Sequence, residues 1–286
     1  ILFILVAGTI TPLLHAQPYE RAVRDTMAFT PGSVAVENEE GSITIDAWDR
    51  DSVAYEARLV SEQDADDVEQ AVIEIDRFNE RLSLASNFEA VEAEWSFGPE
   101  VFGYGVSHPA VHYTLTVPRT AEVSVDDQAS TIAVTGLAAA LRVDTHEGRV
   151  QVRKQKGPVR VDTHEGRVSM TTVDGDLNVD THEGRVSVQG LRGRLLLDTQ
   201  EGTAEIGIDS LAAVDIESHE GDVMLATPRD SGFDLSADLD EDASLKGDFA
   251  IRPLRTEDGN YEGRLQGGGP LVRLSSHEGD IVLRSR

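Results

Sequence analysis

The chain contains no cysteine. Disulfides, thiol nucleophiles, cysteine-ligated metals and a lipidated N-terminal cysteine are therefore excluded, and stability rests on packing and hydrogen bonding. Lysine is almost missing as well, with only Lys154, Lys156 and Lys246. Against 52 acidic residues stand 25 basic ones, for a formal charge of −27. A field of that sign repels nucleic acid and anionic lipid, since binding either requires a basic footprint. It also favours solubility and attracts cations. Between Thr114 and Gly232 there is no Phe, Tyr or Trp. That stretch lacks the rings on which sugars and single-stranded bases commonly stack.

Long apolar runs are missing after the start. Residues 1–16, ILFILVAGTITPLLHA, hold an apolar core too short to span a bilayer and of the length found in a secretory signal. With no Met and no basic segment before it, the run reads as a signal lacking its first residues, cleaved after Ala16. No second such run follows, so the expected mature product is exported and does not insert in a membrane.

What is present is a beat of glycine every ninth residue: Gly148, Gly157, Gly166, Gly175, Gly184, Gly193 and Gly202. Alternate glycines close the phrase D-T-H-E-G at Asp144–Gly148, Asp162–Gly166 and Asp180–Gly184, with D-T-Q-E-G at Asp198–Gly202. An eighteen-residue repeat of this fidelity predicts one unit stacked on copies of itself. Within each half, apolar and polar residues alternate, the pattern of a strand with one buried face. Each eighteen-residue coil is expected to hold two short strands separated by three- or four-residue turns. A hairpin meander would also space strands evenly, but it does not require residue n to resemble residue n+18 in every column. Here the columns are consistent. Val143, Val161, Val179, Leu197 and Ile216 form one inward row; Val150, Val168, Val186, Ala204 and Val223 form a second. Thr145, Thr163, Thr181, Thr199 and Ser218 form an inward or rim ladder able to hydrogen-bond along the stack. The expected fold is all-β, a parallel β-solenoid of the single-stranded β-helix or β-roll type.

The frame extends outward. Asp126–Ile132 lies one coil before the perfect centre, Glu217–Val223 follows a one-residue slip, Ser275–Ile281 closes the chain and Glu37–Ile43 echoes it near the start. The expected organisation is a signal at 1–16 and irregular coils, a hairpin and an aromatic loop at 17–112. The regular body follows at 113–227, and an acidic irregular segment with a closing coil at 228–286. Two strands are expected within 68–86, around Arg77-Phe78-Asn79-Glu80.

Gly41-Ser42-Ile43-Thr44-Ile45-Asp46-Ala47-Trp48-Asp49-Arg50-Asp51, Tyr113-Thr114-Leu115-Thr116-Val117-Pro118, the body repeats and the closing Ser276-His277-Glu278-Gly279-Asp280-Ile281 follow one another in an order that resembles a known family. It is the bacterial "putative adhesin" domain of unknown function, the LiaG-like β-strand repeat proteins. The resemblance covers about residues 30–286. It implies an envelope-associated solenoid, right-handed, whose partner is an unidentified protein or glycan of the envelope. It brings no catalytic residues.

Two familiar motifs are ruled out. In the zinc-protease H-E-x-x-H the second histidine lies one helical turn on; here that position is Val150, Val168 or Val186, on a strand. The calcium-binding nonapeptide needs paired glycines and a following aspartate that this repeat lacks. Asp238, Asp240 and Asp242 open like a calcium loop, but its glycine is Ala243 and its closing glutamate is Phe249. They read as a solvated acidic loop.

Alternation places Asp144 and His146, Asp162 and His164, and Asp180 and His182 outward, in a lattice about 4.8 Å between coils. Imidazole plus carboxylate suits zinc, copper or nickel, so these six are candidate metal ligands. The competing reading is a charge-balanced surface. Arg142 and Arg160 flank the aspartates, and Arg149, Arg167 and Arg185 follow the glutamates. Like charges at that spacing repel by about 3–4 kcal/mol at an effective dielectric of 20, which interleaved arginines offset. Trp95, Phe97, Phe102 and Tyr104 cluster in sequence with His108, His112 and Tyr113, either as a loop folded over the core or as a contact patch for protein or glycan.

The leading functional expectation is a non-enzymatic, exported scaffold or adhesin with no cofactor. A cation-binding module and a polysaccharide-acting solenoid enzyme are the alternatives.

Overall fold

The computed structural model describes residues 18–29, 32–91, 108–249, 252–257 and 260–286. The signal-like run 1–16 and the ring cluster Trp95, Phe97, Phe102 and Tyr104 lie outside the described residues.

Among the described residues the chain is all-β apart from one short helix. In order it forms β1 (Tyr19–Ala28), β2 (Ser33–Trp48), β3 (Ser52–Ser61), α1 (Ala65–Gln70), β4 (Val72–Phe78), β5 (Arg81–Asn87) and β6 (Ala110–Pro118). There follow β7 (Glu122–Thr135), β8 (Leu141–Lys156), β9 (Val159–Asp174), β10 (Leu177–Glu220) and β11 (Val223–Thr227). β12 (Phe233–Gly247), β13 (Arg252–Glu257), β14 (Asn260–Leu265) and β15 (Leu271–Ser285) complete it. These strands make one open, mostly parallel sheet ordered β1-β3-β6-β2-β7-β8-β9-β10-β11-β15-β12-β14-β13, with the β4–β5 hairpin beside β2.

The register is the repeat made physical. Val143 pairs with Val161 and Val161 with Val179, and on the next face Val150 pairs with Val168 and Val168 with Val186. Every residue of both apolar rows is buried. A β-helix-like stack results, in which each rung covers the apolar row of the one before. One rung alone could not shield that row from water.

The turn at H-E-G is tighter than expected. Strand pairing runs on through it, with Glu147 opposite Glu165 and Gly148 opposite Gly166, so the chain bends at the glycine instead of leaving the sheet for a loop. Gly148, Gly166 and Gly184 have φ of 131°, 152° and 138°. A Cβ on Gly184 would lie 1.9 Å from the Gly166 carbonyl oxygen. No side chain fits there, which explains a glycine at this position in rung after rung.

The polar ladder is inward. Thr145, Thr163, Thr181 and Thr199 are all buried, but their hydroxyls do not chiefly bond along the stack. Thr145, Thr163 and Thr181 each donate to the carbonyl two residues ahead, on Glu147, Glu165 and Glu183, at 3.0, 3.3 and 3.4 Å. Ser276 does the same to Glu278 at 3.2 Å. The side chain thereby satisfies a carbonyl released by the bend.

Both ends are closed by antiparallel strands. β1 pairs with β3, and β3 with β6, while α1 packs beside β1 and β3. The helix is a feature the sequence reading missed. Its signal was local: the Asp64 side chain caps the Asp66 N–H, and Asp66 and Asp67 sit in the first turn. The β4–β5 hairpin turns at Asn79, φ 54°, where two strands were expected. At the other end, part of the acidic segment expected to be irregular within 228–286 is regular strand. Residues 233–247 form a strand pairing parallel with β15 and antiparallel with β14. The Asp238–Asp242 run is thus extended strand with Asp238 and Asp240 facing outward, and is not a loop.

Candidate functional site

Outward side chains follow the same register as the core, so they form rows across the rungs. In the aspartate row, Arg142 bridges Asp144 and Asp162 at 3.2 Å each. Arg160 holds Asp162 in a two-point fork, both distances 3.0 Å. The arginine column then ends: Asn178 and Leu196 occupy the equivalent positions in the next two rungs. Asp180 and Asp198 are left beside each other without it. Burial, then Asp198, then Asp162 push the Asp180 carboxyl above the ordinary carboxylate range, with Arg160 opposing. Charge balance therefore holds for the first two aspartates and fails for the next two.

The histidine row is a stack of rings. His146 and His164 have centroids 4.7 Å apart, and His164 and His182 are 4.6 Å apart and within 4° of parallel. The Nδ1 atoms of His164 and His182 lie 3.9 Å from the carboxylates of Glu165 and Glu183. The six candidate ligands Asp144, His146, Asp162, His164, Asp180 and His182 thus share one outer face, but among the described residues no three metal-binding side chains are arranged to hold an ion.

The expected pairing of Arg149, Arg167 and Arg185 with the glutamates is not made. None of the three takes part in an ion pair or side-chain hydrogen bond among the described residues. They instead flank a gutter of about 820 Å³ floored by Gly41, Gly148, Gly166, Gly184 and Gly202. The identical arginine column was visible in the sequence; its lack of partners was not.

A second groove, of about 800 Å³, crosses the opposite edge of the rungs between β5 and β15. Its floor is the row Val123, Leu141, Val159, Leu177, Leu195 and Val214, and Leu196 and Leu271 stand exposed along it. Arg81, Arg142, Arg160, Arg194 and Arg273 line it together with Glu122, Asp176 and Asp215. The sequence reading missed this groove because its outer column varies from Ser124 to Arg142, Asn178, Leu196 and Asp215, with no repeat to draw attention.

Several solved structures are similar to this chain. A "putative adhesin" from Bacteroides fragilis is 11% identical over 93% of this chain and 97% of that one, with a TM-score of 0.37. A "putative cell adhesion protein" from Clostridium sporogenes is 9% identical over 94% of this chain and 100% of that one, at 0.28. A "putative adhesin" from Parabacteroides merdae is 10% identical over 93% and 97%, at 0.27. No family model and no curated protein matches the sequence.

The residues near the ring cluster divide between core and rim. Tyr113 is fully buried, and burial pushes its phenol far above the usual range. His108 stacks on Phe88 with centroids 4.8 Å apart. The His112 Nδ1 lies 2.9 Å from the Ser42 hydroxyl, and burial, then Arg58, lower its pKa. Asp127 is buried in the polar ladder, where its Oδ2 accepts the Ser130 N–H at 2.7 Å and the Thr145 hydroxyl at 3.2 Å. Burial raises its pKa. Tyr113, His112, Asp127 and Asp180 lie outside both grooves, whereas Arg160, whose guanidinium is held protonated by Asp162, lines the second. Among the described residues, no helix is long and apolar enough to cross a membrane.

Proposed function

We propose that this chain is a non-enzymatic, exported cell-envelope β-solenoid that acts as a binding scaffold, in the manner of a LiaG-like adhesin. Each eighteen-residue coil contributes two short strands meeting at the glycine bend, wound right-handed as the resemblance implies. The observation that carries this reading is repetition on the outside as well as the inside. Around the H-E-G bend the outward Asp, His and Arg rows recur at the same places across at least three successive rungs, so that part of the surface suits an elongated ligand laid along the stack. An enzyme concentrates shifted acids and bases in a cleft. In this chain the shifted acids Tyr113 and Asp127 sit in the core and Asp180 in the aspartate row, outside both grooves; the shifted group that does line a groove, Arg160, is a guanidinium held protonated by Asp162.

The test is retention against turnover. Purified protein is incubated with envelope polysaccharides and with whole cells, and bound protein and released sugar are both measured. Retention without new reducing ends is the expected result. Release of shortened polymer sinks the non-enzymatic reading.

A further inference from the structure

We propose that the gutter along the H-E-G bends binds an acidic polysaccharide, with Arg149, Arg167 and Arg185 engaging its carboxylates. The proposal rests on the scaffold reading above and names the ligand class for one face of it.

The three arginines are in strict register, Arg149 beside Arg167 and Arg167 beside Arg185. They are exposed and stand about 4.8 Å apart from rung to rung. Among the described residues they are the only charged side chains lining the gutter. In a chain of net charge −27, three neighbouring guanidinium groups could each find a carboxylate, as Arg142 and Arg160 do. They do not. Glu147, Glu165 and Glu183 lie just across the glycines, but the bend sends them outside the gutter. Three aligned cations repel one another, and an anion laid across them relieves that repulsion.

The floor favours a chain over a compact ligand. It is bare backbone at Gly148, Gly166 and Gly184, where a Cβ would collide with the rung beneath, so a polymer can approach without side-chain obstruction. The hydroxyl-bearing Thr131 and Thr203 continue the arginine column at its two ends. A linear acidic polymer can thus place successive carboxylates against successive guanidinium forks, the geometry that arginine recognises in two-point fashion.

The rest of the molecule narrows the class. Nucleic acid requires a broad basic footprint and aromatic platforms for its bases, and between Thr114 and Gly232 there is no Phe, Tyr or Trp. A neutral glycan usually relies on the same stacking. Carboxylates spaced along a sugar chain demand less total positive charge and no ring.

The experiment uses the full chain, a fluorescently labelled oligogalacturonate, and anisotropy at low and moderate salt. The native protein is expected to bind, and salt to weaken it. The triple variant R149Q/R167Q/R185Q is expected to lose affinity by about tenfold or more, and R167Q alone to lose part of it. E147Q/E165Q/E183Q is expected to bind more tightly, and the methyl-esterified oligosaccharide not to bind. Melting curves confirm that the exposed substitutions leave the fold intact. No binding by the native protein at low salt overturns the proposal. So does equal binding by the triple arginine variant, equal binding of the methyl ester, or equal binding of single-stranded DNA. Shortening of the labelled polymer, with arginine-dependent binding retained, overturns the non-enzymatic reading and leaves this one standing.

Discussion

His219 lies face to face with His277, ring centroids 4.5 Å apart and planes within 6°. The two phrases E-S-H-E-G-D-V and S-S-H-E-G-D-I are therefore adjacent rungs, although β12, β13 and β14 lie between them in the chain. Stacking order and chain order part company here. After β11 the chain skips a layer to lay down β12, returns through β14, and slots β15 into the vacancy, parallel to β10 and β11 on one side and to β12 on the other. The last strand is thus an interior one.

That placement makes Leu274 a keystone of the C-terminal end. It is fully buried, with Ile216 in one neighbouring strand and Ala237 in the other. Leu274→Ala leaves a cavity between two rungs and is expected to cost about 2–5 kcal/mol. Leu271, three residues earlier and 43% exposed, is expected to lose less than about 1 kcal/mol on the same change. Urea unfolding of both variants checks the contrast; equal losses would contradict the interior placement of β15.

Two glycines in one stack should respond differently to alanine. At Gly184 the new Cβ meets a backbone carbonyl at 1.9 Å and φ is 138°, so collision adds to strain. Gly184→Ala is expected to cost about 3 kcal/mol or more. At Gly136 φ is 83°, but the nearest atom is 3.5 Å away on the flexible Arg119 side chain. Lys154 and Thr172 adopt left-handed φ of 53° and 59° at the equivalent corner one and two rungs on. Gly136→Ala should therefore cost only about 1 kcal/mol. Melting temperatures of the two variants measure the difference.

This contrast shows which parts of the fold were legible in sequence. Buried columns such as Val143-Val161-Val179 were readable because an in-register stack demands the same residue type at each level. The glycine at each bend was readable for the same reason. The second corner was not, because left-handed backbone tolerates Lys154 and Thr172 as well as Gly136, and the letters no longer repeat. The insertion of β15 was equally hidden: identical motifs show that two rungs can stack, not which neighbour each chooses. On the outer face, Asp144 and His146 were placed by alternation alone. Whether an arginine pairs depends on side-chain direction at the bend, so Arg149 could not be told from Arg142 by spacing.

Asp127 predicts a pH dependence. Its ladder neighbours donate a hydrogen to the carbonyl two residues ahead, as Asn38 does to Glu40 at 3.1 Å. An ionised Asp127 has no hydrogen to give, and its buried Oδ1 has no partner among the described residues. Burial raises its pKa above 3.8, so the folded state holds a proton that the unfolded state has released. Its contribution is full below pH 3.8 and is lost as pH climbs through the raised folded value. Asp127→Asn supplies the donor without the charge. It is expected to flatten the stability profile across that window and to add about 1–2 kcal/mol at neutral pH. A series of urea titrations from acid to neutral pH reads both effects.

The broken arginine column offers a complementary test. Asn178 stands where Arg142 and Arg160 stand in earlier rungs, and the Asp180 carboxyl beyond it is raised by burial and by Asp198. A raised carboxyl means stability declines as pH passes from 3.8 through the folded value. Asn178→Arg should lower the Asp180 value, shrink that decline and stabilise the protein at neutral pH by less than about 1 kcal/mol, since the pair is partly exposed. Carboxyl NMR titration of Asp180 gives the shift directly, and added salt should reduce the gain. An unchanged titration would mean the new guanidinium points elsewhere.

The Asp/His face makes a prediction about metal. Its donor types suit zinc or nickel, but one ion needs lone pairs that converge, at about 2.0–2.1 Å for each zinc–nitrogen bond. His164 and His182 are parallel rings 4.6 Å apart; the in-plane lone pairs of parallel rings run side by side and do not meet. The carboxylates that would complete a site at the first two rungs are already held, Asp144 by Arg142 and Asp162 by both Arg142 and Arg160. Calorimetric titration with zinc or nickel at neutral pH is therefore expected to show no binding tighter than millimolar. The informative control is His164→Gln, at the centre of the stack. A micromolar zinc event present in the native protein and lost in that variant would show that the rings turn from stacking to chelation, and that the face is a metal site after all.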